Sequence, residues 1–360
     1  MRLAFAVAAS LIAFSPLAGA QPIADSLADY SGIQGYRNWY YGYSKYTSGT
    51  LGPFQQLGLF SNNVWYRAEG GGTSYWTSIW KGGQHPNAAI STGGRLGEEN
   101  WVIRRWVAPP GFLQYIHISG SVQKQSITGG DGSVFHLMVN SGNYTNIFLV
   151  SNDLTAHTFS QDICVAGGDR VDFIVDPNIN DQYDSTNLVA TITGPISQMP
   201  VSTSACPGAW ATFNIATYAS VPLQWQFEYA PNDWRLFTGN PQALPCGGFI
   251  QAQRPFNTNT LTVKRTGCPG TPAVRIRCRL NVCNQPLSDI ASLSVCAADF
   301  NCDGIVDDAD FQVFLTSYNL LVCSDPAMPQ SCAADLNGDN FADDADFQRF
   351  VVAYNDLVCP

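Results

Sequence analysis

The sequence predicts a mostly β protein with an N-terminal β-sandwich of jelly-roll type, a second and smaller β-sandwich, and a small α-helical unit at the C-terminus. Short runs of β-branched and aromatic residues recur between residues 101 and 193, separated by turn-forming Gly, Asn and Asp residues. No helical period accompanies these runs, as is typical of sandwiches. Residues 296–360 differ, because a segment with helical spacing of apolar residues occurs there twice. With 360 residues, the chain has room for two or three domains.

The first 20 residues have the pattern of a secretory signal peptide. Arg2 provides a positive start, residues 3–13 form an apolar stretch, and Ala18-Gly19-Ala20 fits the small-residue cleavage rule. Cleavage after Ala20 would release a protein that is extracellular or held at the cell surface. A retained anchor is disfavoured, because Ser and Pro interrupt the apolar stretch before the ~20 residues that span a bilayer. No transmembrane segment is predicted in the mature chain.

Residues 21–196 are expected to form the first sandwich. Six runs in this region resemble strands, since they are rich in Val, Ile, Leu and aromatic residues and end at turn-forming residues. The six runs are 101–107, 113–118, 134–139, 147–150, 171–175 and 188–193. Residues 195–200 are expected to be a linker, because they begin and end with Pro.

Aromatic residues are concentrated early in this region and suit a carbohydrate-binding surface. Aromatic rings stack on the apolar faces of sugars, and Asn, Asp and Arg side chains bind hydroxyl groups. At least half of these rings are expected to fill the core instead. The rings belong to Tyr36, Trp39, Tyr40, Tyr41, Tyr43, Tyr46, Trp65, Tyr66, Tyr75, Trp76 and Trp80.

The same region resembles a jelly-roll module found in bacterial secreted proteins that act on polysaccharides. The segments that carry the resemblance are 29–43, 84–86, 104–106 and 168–177. The resemblance implies binding of a polysaccharide.

An alternative function is a polysaccharide hydrolase or lyase with its active site in this region. Glycoside hydrolysis needs two carboxylates across a cleft, and Glu69 with Glu98 or Glu99 would supply them. However, the chain has no Gly-x-Ser-x-Gly or His-Glu-x-x-His motif. We therefore assign no catalytic residue and expect a binding or scaffold protein. A purely structural cell-surface protein is the remaining alternative.

Residues 197–295 contain Cys206, Trp225 and Cys278 in that order. This order resembles an immunoglobulin-like domain, in which the Trp packs on a disulfide between two sheets. The resemblance implies a Cys206–Cys278 disulfide and a spacer role. Ile276 is a departure, since it stands where such domains carry Tyr.

Cysteine usage favours disulfides formed in an oxidising compartment. The chain has 11 cysteines, and ten of them follow residue 200. No Cys-x-x-Cys pair occurs and the four His are scattered, so a zinc site is disfavoured. Because the number is odd, one cysteine has no partner within the chain. Cys164, which stands alone in the first half, is the first candidate.

Residues 296–323 and 332–359 are two copies of one segment, with 18 identities in 28 aligned positions. Each copy contains a twelve-residue loop with Asp or Asn at positions 1, 3, 5, 9 and 12. This spacing wraps a loop around Ca²⁺, a hard cation that takes about six to eight oxygen ligands. Position 6 needs a sharp turn and is Gly304 in one loop and Asn340 in the other; Asn tolerates a positive φ. The alternative is two solvated acidic turns that cap helices.

An amphipathic helix is predicted after each loop, because apolar residues recur at i, i+3, i+4 and i+7. These residues are Phe311, Phe314, Leu315 and Tyr318 in one copy, and Phe347, Phe350, Val351 and Tyr354 in the other. The two apolar faces are expected to pack against each other. No entering helix is predicted before either loop. A duplicated loop and helix of this kind, with Asp at position 12, resembles the type I dockerin module.

The resemblance implies two Ca²⁺ ions and their ligands. The first set is Asp299, Asn301, Asp303, Ile305, Asp307 and Asp310, and the second is Asp335, Asn337, Asp339, Phe341, Asp343 and Asp346. Ile305 and Phe341, at position 7, would contribute main-chain carbonyl oxygens. Metal binding and folding of this region are expected to be coupled.

The resemblance also implies a cohesin-like protein or a cell-surface component as partner. Dockerins recognise cohesins through loop positions 10 and 11 and the following helix. Those positions are Asp308-Ala309 and Asp344-Ala345 here, and the Ser-Thr pair of clostridial dockerins is absent. The alternative is a calcium-stabilised terminal cap without a cohesin partner.

The negative charge of the chain is concentrated in this C-terminal region. Residues 296–360 contain twelve Asp and one basic residue, Arg349, for a net charge of −11, whereas the whole chain has −10. Such a concentration of charge would repel itself without a cation. Nucleic acid is excluded as a predicted partner, because no basic patch is present to bind phosphates.

Overall fold

The computed structural model describes residues 22–67, 75–126, 129–206, 209–246, 248–253, 255–266, 273–303, 305–329 and 332–356. The predicted signal peptide, residues 1–20, lies outside these residues, as do Glu69, Cys268, Gly304 and Cys359. The protein is mostly β, as predicted, with two α-helices among the described residues. Neither of these helices is long and apolar enough to cross a membrane.

In the described part of residues 24–193, fifteen strands form two antiparallel sheets. They are β1 (Ala24–Asp25), β2 (Trp39–Thr47), β3 (Thr50–Leu51), β4 (Gln55–Gln56), β5 (Leu59–Ser61), β6 (Val64–Tyr66), β7 (Ser78–Trp80), β8 (Gly83–His85), β9 (Asn100–Val107), β10 (Leu113–Lys124), β11 (Ser133–Val139), β12 (Gly142–Leu149), β13 (His157–Ala166), β14 (Arg170–Asp176) and β15 (Thr186–Thr193). One sheet has the order β13-β10-β15-β8-β7-β6-β5, with β1 paired to β15. The other has the order β12-β11-β14-β9-β2-β3, with β4 paired to β2.

The two sheets pack face to face around one hydrophobic cluster. Burial alternates along β11, so that Phe135 and Leu137 are enclosed while their neighbours are half-buried. Phe135 stacks on Phe159 of the opposite sheet, with 4.8 Å between ring centroids. Trp39 and Trp106 are also fully buried. Five of the six predicted runs lie within strands of this region, and the sixth, 147–150, extends one residue past β12. Strands β1 to β8 and β13 were not predicted.

Three cations are buried among the described residues of this first sandwich, namely Arg67, Arg104 and Lys124. Lys124, the last residue of β10, pairs with Asp184, with 3.2 Å between Nζ and Oδ1 and no exposed area on either side chain. Burial raises the pKa of Asp184, and the charge of Lys124 opposes this rise and favours the ionised carboxylate. Arg104 of β9 is enclosed and donates to the carbonyl oxygens of Ser26 and Trp80, at 2.9 and 2.8 Å. Burial lowers its pKa to about 10.

Eleven further strands lie among the residues that the structure describes between 196 and 295. They are β16 (Ile196–Gln198), β17 (Thr203–Ala205), β18 (Trp210–Asn214), β19 (Ala216–Thr217), β20 (Leu223–Ala230), β21 (Asp233–Leu236), β22 (Gln242–Ala243), β23 (Phe249–Gln253), β24 (Thr260–Thr266), β25 (Val274–Leu280) and β26 (Ala291–Val295). A five-stranded sheet has the order β17-β26-β25-β20-β21, and a four-stranded sheet has the order β18-β24-β23-β22. β17 and β26 are parallel, and β16 pairs with β19.

A second hydrophobic cluster lies between these sheets. Trp225 of β20 is fully buried and lies beside Cys278 of β25 in the strand register. Ile196 of β16 belongs to this cluster, so the predicted linker at 195–200 includes a strand that packs on the second core.

The predicted Cys206–Cys278 disulfide is wrong. Cys206 is bonded to Cys302, and Cys278 is a buried free cysteine whose thiol pKa burial raises to about 12. The physical reason is that the nearest strand after Cys206, β18, buries Ala211 and Phe213 in the core and carries no cysteine. Cys206 precedes that strand and faces the C-terminal region.

The expectation that Cys164 is unpaired is also wrong. Cys164 lies on the exposed side of β13 and is bonded to Cys283, 119 residues away. Cys323 and Cys332 form another disulfide, and Cys246 and Cys296 are disulfide-bonded as well. The Cys164–Cys283 disulfide joins the region of the first hydrophobic cluster to that of the second. The residue pattern of either region alone therefore does not predict the pairing.

The two α-helices are α1 (Asp308–Tyr318) and α2 (Asp344–Asp356). They pack on each other as predicted, and the rings of Phe314 and Phe350, both enclosed, lie 5.2 Å apart. Two residues of the predicted faces, Leu315 and Phe347, are more than one third exposed. The helices and their loops form a third hydrophobic cluster that is separate from the other two.

Candidate metal centre

Each repeated loop gathers three carboxylates around one point. Oxygen atoms of Asp299, Asp303 and Asp310 all lie within 4.8 Å of one another, and the same holds for the second loop. The second set is Asp335, Asp339 and Asp346. These residues occupy loop positions 1, 5 and 12, so the structure brings together six of the twelve predicted ligands as two triads.

The carboxylate at position 12 closes the first loop. Asp310 is fully buried, and its Oδ1 accepts hydrogen bonds from the amides of Phe300 and Asn301, at 2.6 and 3.0 Å. Its Oδ2 accepts from the amide of Asp307, at 3.0 Å. This carboxylate therefore ties the start of the loop to the first turn of α1.

The second loop has the same bonds 36 residues later. Asp346 Oδ1 accepts from the amides of Leu336 and Asn337, at 2.8 and 2.9 Å, and its Oδ2 accepts from Asp343, at 2.9 Å. Burial raises the pKa of Asp346, these three amides oppose the rise, and the nearby charge of Asp335 adds to it. A cation among the carboxylates would favour the ionised form of Asp346.

Asn at position 3 and Asp at position 5 shape the turn between them. Asn301 Oδ1 accepts from the amide of Asp303, at 2.9 Å, and Asp303 Oδ1 accepts from the amide of Ile305, at 2.9 Å. The equivalent bonds join Asn337, Asp339 and Phe341, at 2.8 and 2.9 Å. The side chains of Ile305 and Phe341 are exposed, as expected where only the main-chain carbonyl would bind an ion.

Position 9 caps the helix that follows each loop. Asp307 accepts from the amide of Ala309, at 2.8 Å, and Asp343 accepts from Ala345, at 2.9 Å. With the bond from Asp307 N–H to Asp310, the first of these caps forms a capping box. Neither Asp307 nor Asp343 belongs to its carboxylate triad, and residues at this position often reach calcium through water.

The donor sets fit a hard divalent cation. They consist of carboxylate, amide and carbonyl oxygens, the ligands that calcium and magnesium prefer. At an effective dielectric constant of about 20, two unit charges about 5 Å apart repel by about 3 kcal/mol before screening by ions. Three carboxylates in one loop contain three such pairs, so a bound cation would remove a substantial destabilisation.

The described backbone of the two loops contains left-handed residues that produce sharp turns. Asn340, at position 6, has a φ of 71°, which confirms the sequence-based expectation. A second left-handed residue occurs at position 4, where Gly338 has a φ of 83° and Cys302 a φ of 66°. Reasoning from the sequence missed position 4, although Gly338 was a signal for it.

The residues at position 10 bind the opposite repeat. The hydroxyl of Tyr318, near the end of α1, donates to Asp344 at the start of α2, and Tyr354 donates to Asp308 in the same way. Each hydrogen bond raises the pKa of its tyrosine. The sequence analysis did not predict these pairs. The two tyrosines are 36 residues apart, as are the two aspartates, so the symmetry of the two hydrogen bonds follows from the repeat.

The aromatic residues predicted for carbohydrate binding are divided between core and surface. Trp39, Tyr41, Tyr43 and Trp65 are buried, which is fewer than the predicted half. Tyr36 is exposed, and the others are half-buried: Tyr40, Tyr46, Tyr66, Tyr75, Trp76 and Trp80.

A band of side chains crosses the outer face of the sheet that contains β2, β9, β11, β12 and β14. Tyr46 stacks on Trp101 at 4.7 Å between centroids, and Trp101 stacks on His136 at 5.0 Å. His136 contacts Asp176 at 2.7 Å and Asn146 at 2.6 Å. We call Tyr46, Trp101, His136, Asn146 and Phe148 the outer strip; Phe148, on the same face of β12 as Asn146, is 49% exposed.

The two described candidates for hydrolysis have structural contacts. Glu98 contacts Lys45 and accepts from Arg67 Nη1 at 2.9 Å. Burial raises the pKa of Glu98, but the hydrogen bonds from Lys45 and Arg67 outweigh it, so that the pKa is lowered overall. Glu99 accepts from Trp101 Nε1 at 2.9 Å, and burial raises its pKa. Glu69, the proposed partner of either residue, lies outside the described residues.

Compared with models of known protein families, the chain matches none, and no curated protein sequence is significantly similar to it.

Proposed function

We propose that this is an exported binding protein whose C-terminal dockerin-like module is held together by two Ca²⁺ ions. The observation that carries the proposal is the repetition of the loop hydrogen bonds around two triads of carboxylates. When bound, calcium supplies positive charge and about six to eight coordination positions to each loop. The Asp and Asn side chains at positions 1, 3, 5, 9 and 12 hold the loop in shape, and the residue at position 7 offers a carbonyl.

The other two regions are proposed to be a jelly-roll module at residues 21–196 and an immunoglobulin-like spacer at residues 197–295. The two face-to-face sheets of the first region support the former. In the second, β26, β25 and β20 adjoin in one sheet, and β18, β24 and β23 adjoin in the other. This division supports an immunoglobulin-like arrangement, in which three strands of one sheet pack on those of a second.

The partner of the module is proposed to be a cohesin-like protein or a cell-surface component. Ala309 and Ala345, at position 11, are exposed on the first turns of the two helices. Asp308 and Asp344, beside them, are also exposed although they accept a tyrosine hydroxyl. A surface of small and acidic residues favours a partner with basic or small polar residues at its contact site.

Removal of calcium is expected to unfold the C-terminal helices while the sheets persist. Far-UV circular dichroism of the full chain, with calcium and then with excess chelator, is the measurement. We expect loss of the helical signal with retention of the β signal, and recovery when calcium is returned. An unchanged helical signal after verified removal of the ion would contradict the coupling of metal binding and folding.

A second candidate function is glycan binding at the outer strip. The specific observation is that exposed Phe148 lies beside His136 and Asn146, which can bind sugar hydroxyl groups, while Asp176 contacts His136. The faces of Tyr46 and Trp101 that contact each other are unavailable for stacking. Phe148 is also the most exposed of the three rings and is therefore the first candidate to stack on a sugar.

Replacing Phe148 with Ala is expected to weaken polysaccharide binding about tenfold, the effect of losing one stacked ring. Affinity electrophoresis against a panel of soluble polysaccharides measures it. Phe249→Ala, which removes an equally exposed phenylalanine ring in the second sandwich, is the matched control and is expected to leave binding unchanged. Failure of the wild-type chain to bind any glycan would favour the purely structural cell-surface alternative.

A further inference from the structure

The two metal loops differ at position 4, although their hydrogen bonds correspond. Gly338 occupies this position in the second loop and Cys302 in the first, both with positive φ. Glycine adopts this conformation without steric cost, whereas a residue with a Cβ is disfavoured there. A constraint from outside the loop would offset this cost and help to keep Cys302 in the conformation that its repeat reaches freely.

The constraint is a disulfide from the neighbouring β region. Cys302 is bonded to Cys206, which follows β17 and is 96 residues earlier in the chain. The anchor is itself fixed, because Cys206 is buried and the amide of Cys296 donates to the carbonyl of Ala205, at 3.1 Å. The first loop is thus attached to the second sandwich at its own position 4.

The Cys206–Cys302 disulfide is attached to the loop between two of the proposed ligands. Cys302 lies between Asn301 and Asp303, at positions 3 and 5, and Cys206 Sγ lies 3.9 Å from Oδ2 of Asp299, at position 1. Asp299 is 3% exposed, whereas its counterpart Asp335 is half-buried. The disulfide therefore restricts the backbone at the centre of the ligand set.

The second loop has a disulfide of a different kind. Cys323 and Cys332 are only nine residues apart, and both precede the first ligand of that loop. Cys323 Sγ lies 3.8 Å from Asp335 Oδ2, so each loop has a disulfide sulfur against its position 1. Only in the first loop does a disulfide-bonded cysteine lie between the first and the last of the proposed ligands.

We propose that the Cys206–Cys302 disulfide is a positioning element that makes the first loop the tighter of two unequal Ca²⁺ sites. This inference rests on the proposed calcium function. A loop that is already held in its bound shape loses less conformational entropy when the ion binds, and its affinity rises accordingly. Closing a long chain segment also restricts the unfolded ensemble more than closing a short one.

The two sites can be compared in the full-length chain by disabling one loop at a time. Asp346→Asn leaves the first loop, and Asp310→Asn leaves the second; isothermal titration with CaCl₂ gives the affinity of each. We expect the first loop to bind about tenfold more tightly. Adding Cys206→Ala and Cys302→Gly to the Asp346→Asn chain is expected to remove most of this difference, because Gly supplies the turn but not the anchor.

The control adds the same two cysteine substitutions to the Asp310→Asn chain, where the affinity of the second loop is expected to change less than about twofold. Loss of affinity in both loops would overturn the inference, because it would indicate general destabilisation. An unchanged affinity of the first loop would overturn it too, while leaving the calcium proposal intact. Absence of heat and of helical change in every chain would instead refute the calcium proposal itself.

Discussion

Replacing Asp310 with Ala is expected to abolish ion binding by the first loop and to unfold α1. The substitution removes a proposed ligand and also the acceptor of three main-chain hydrogen bonds. Leaving a buried donor unpaired costs about 1–3 kcal/mol. The fall in calcium affinity should exceed the roughly 100-fold loss caused by removing an outer-shell partner of a metal ligand.

Asp346→Ala is expected to have the same effect on the second loop and α2, because its carboxylate makes the equivalent three bonds. Calcium titration combined with circular dichroism measures both effects. Asp289→Ala is the charge-matched control, since it removes one exposed carboxylate outside the loops. If the Asp310 and Asp289 variants bound calcium equally well, the assignment of position 12 would be wrong.

Replacing Asp184 with Ala is expected to destabilise the first sandwich by about 3–5 kcal/mol, because it leaves the Lys124 ammonium buried without its partner. The pair joins the end of β10 to the residues that lead into β15. Urea unfolding in saturating calcium, followed by tryptophan fluorescence, measures the loss. A loss below about 1 kcal/mol, the range of a surface ion pair, would contradict the buried geometry.

The double variant Lys124→Met with Asp184→Leu is the matched control for this prediction. It removes both charges and keeps apolar volume, and such replacements of a buried ion pair are often neutral or stabilising. We expect the double variant to be more stable than Asp184→Ala. The opposite order would mean that the cost arises from side-chain volume and not from the unpaired charge.

The local features of the C-terminal region were readable from the sequence because local spacing determines them. The period of Phe311 and Phe314 predicted a helix, and the doubled Asp-x-Asn-x-Asp spacing predicted two clusters of oxygen ligands. The positive φ of Asn340 followed from the turn that position 6 requires. Each of these inferences depends on no more than about twelve consecutive residues.

The disulfide pattern was not readable, because it depends on which surfaces of separate regions meet. Cys164 bonds to Cys283 across 119 residues, and Cys206 bonds across 96 residues to Cys302. The resemblance to an immunoglobulin-like domain assigned Cys206 to the wrong partner, since spacing alone does not show that β18 carries only apolar residues inward. The buried Lys124–Asp184 pair was missed for the same reason.

The outer strip could not be predicted from the sequence either. Trp101 and His136 lie on β9 and β11, which are not adjacent, because β14 separates them in the sheet. Their stacking follows from the strand order and register, which short-range patterns do not determine. The sequence identified Tyr46 as an aromatic candidate but not the neighbours that surround it.

The number of calcium ions bound by the full-length chain tests the central claim most directly. Equilibrium dialysis against CaCl₂ in a background of MgCl₂, followed by elemental analysis, should give two ions per chain. It should give one for either Asp310→Ala or Asp346→Ala, and none for the two substitutions together. A wild-type chain that binds no calcium, or a double variant that still binds two ions, would contradict the account.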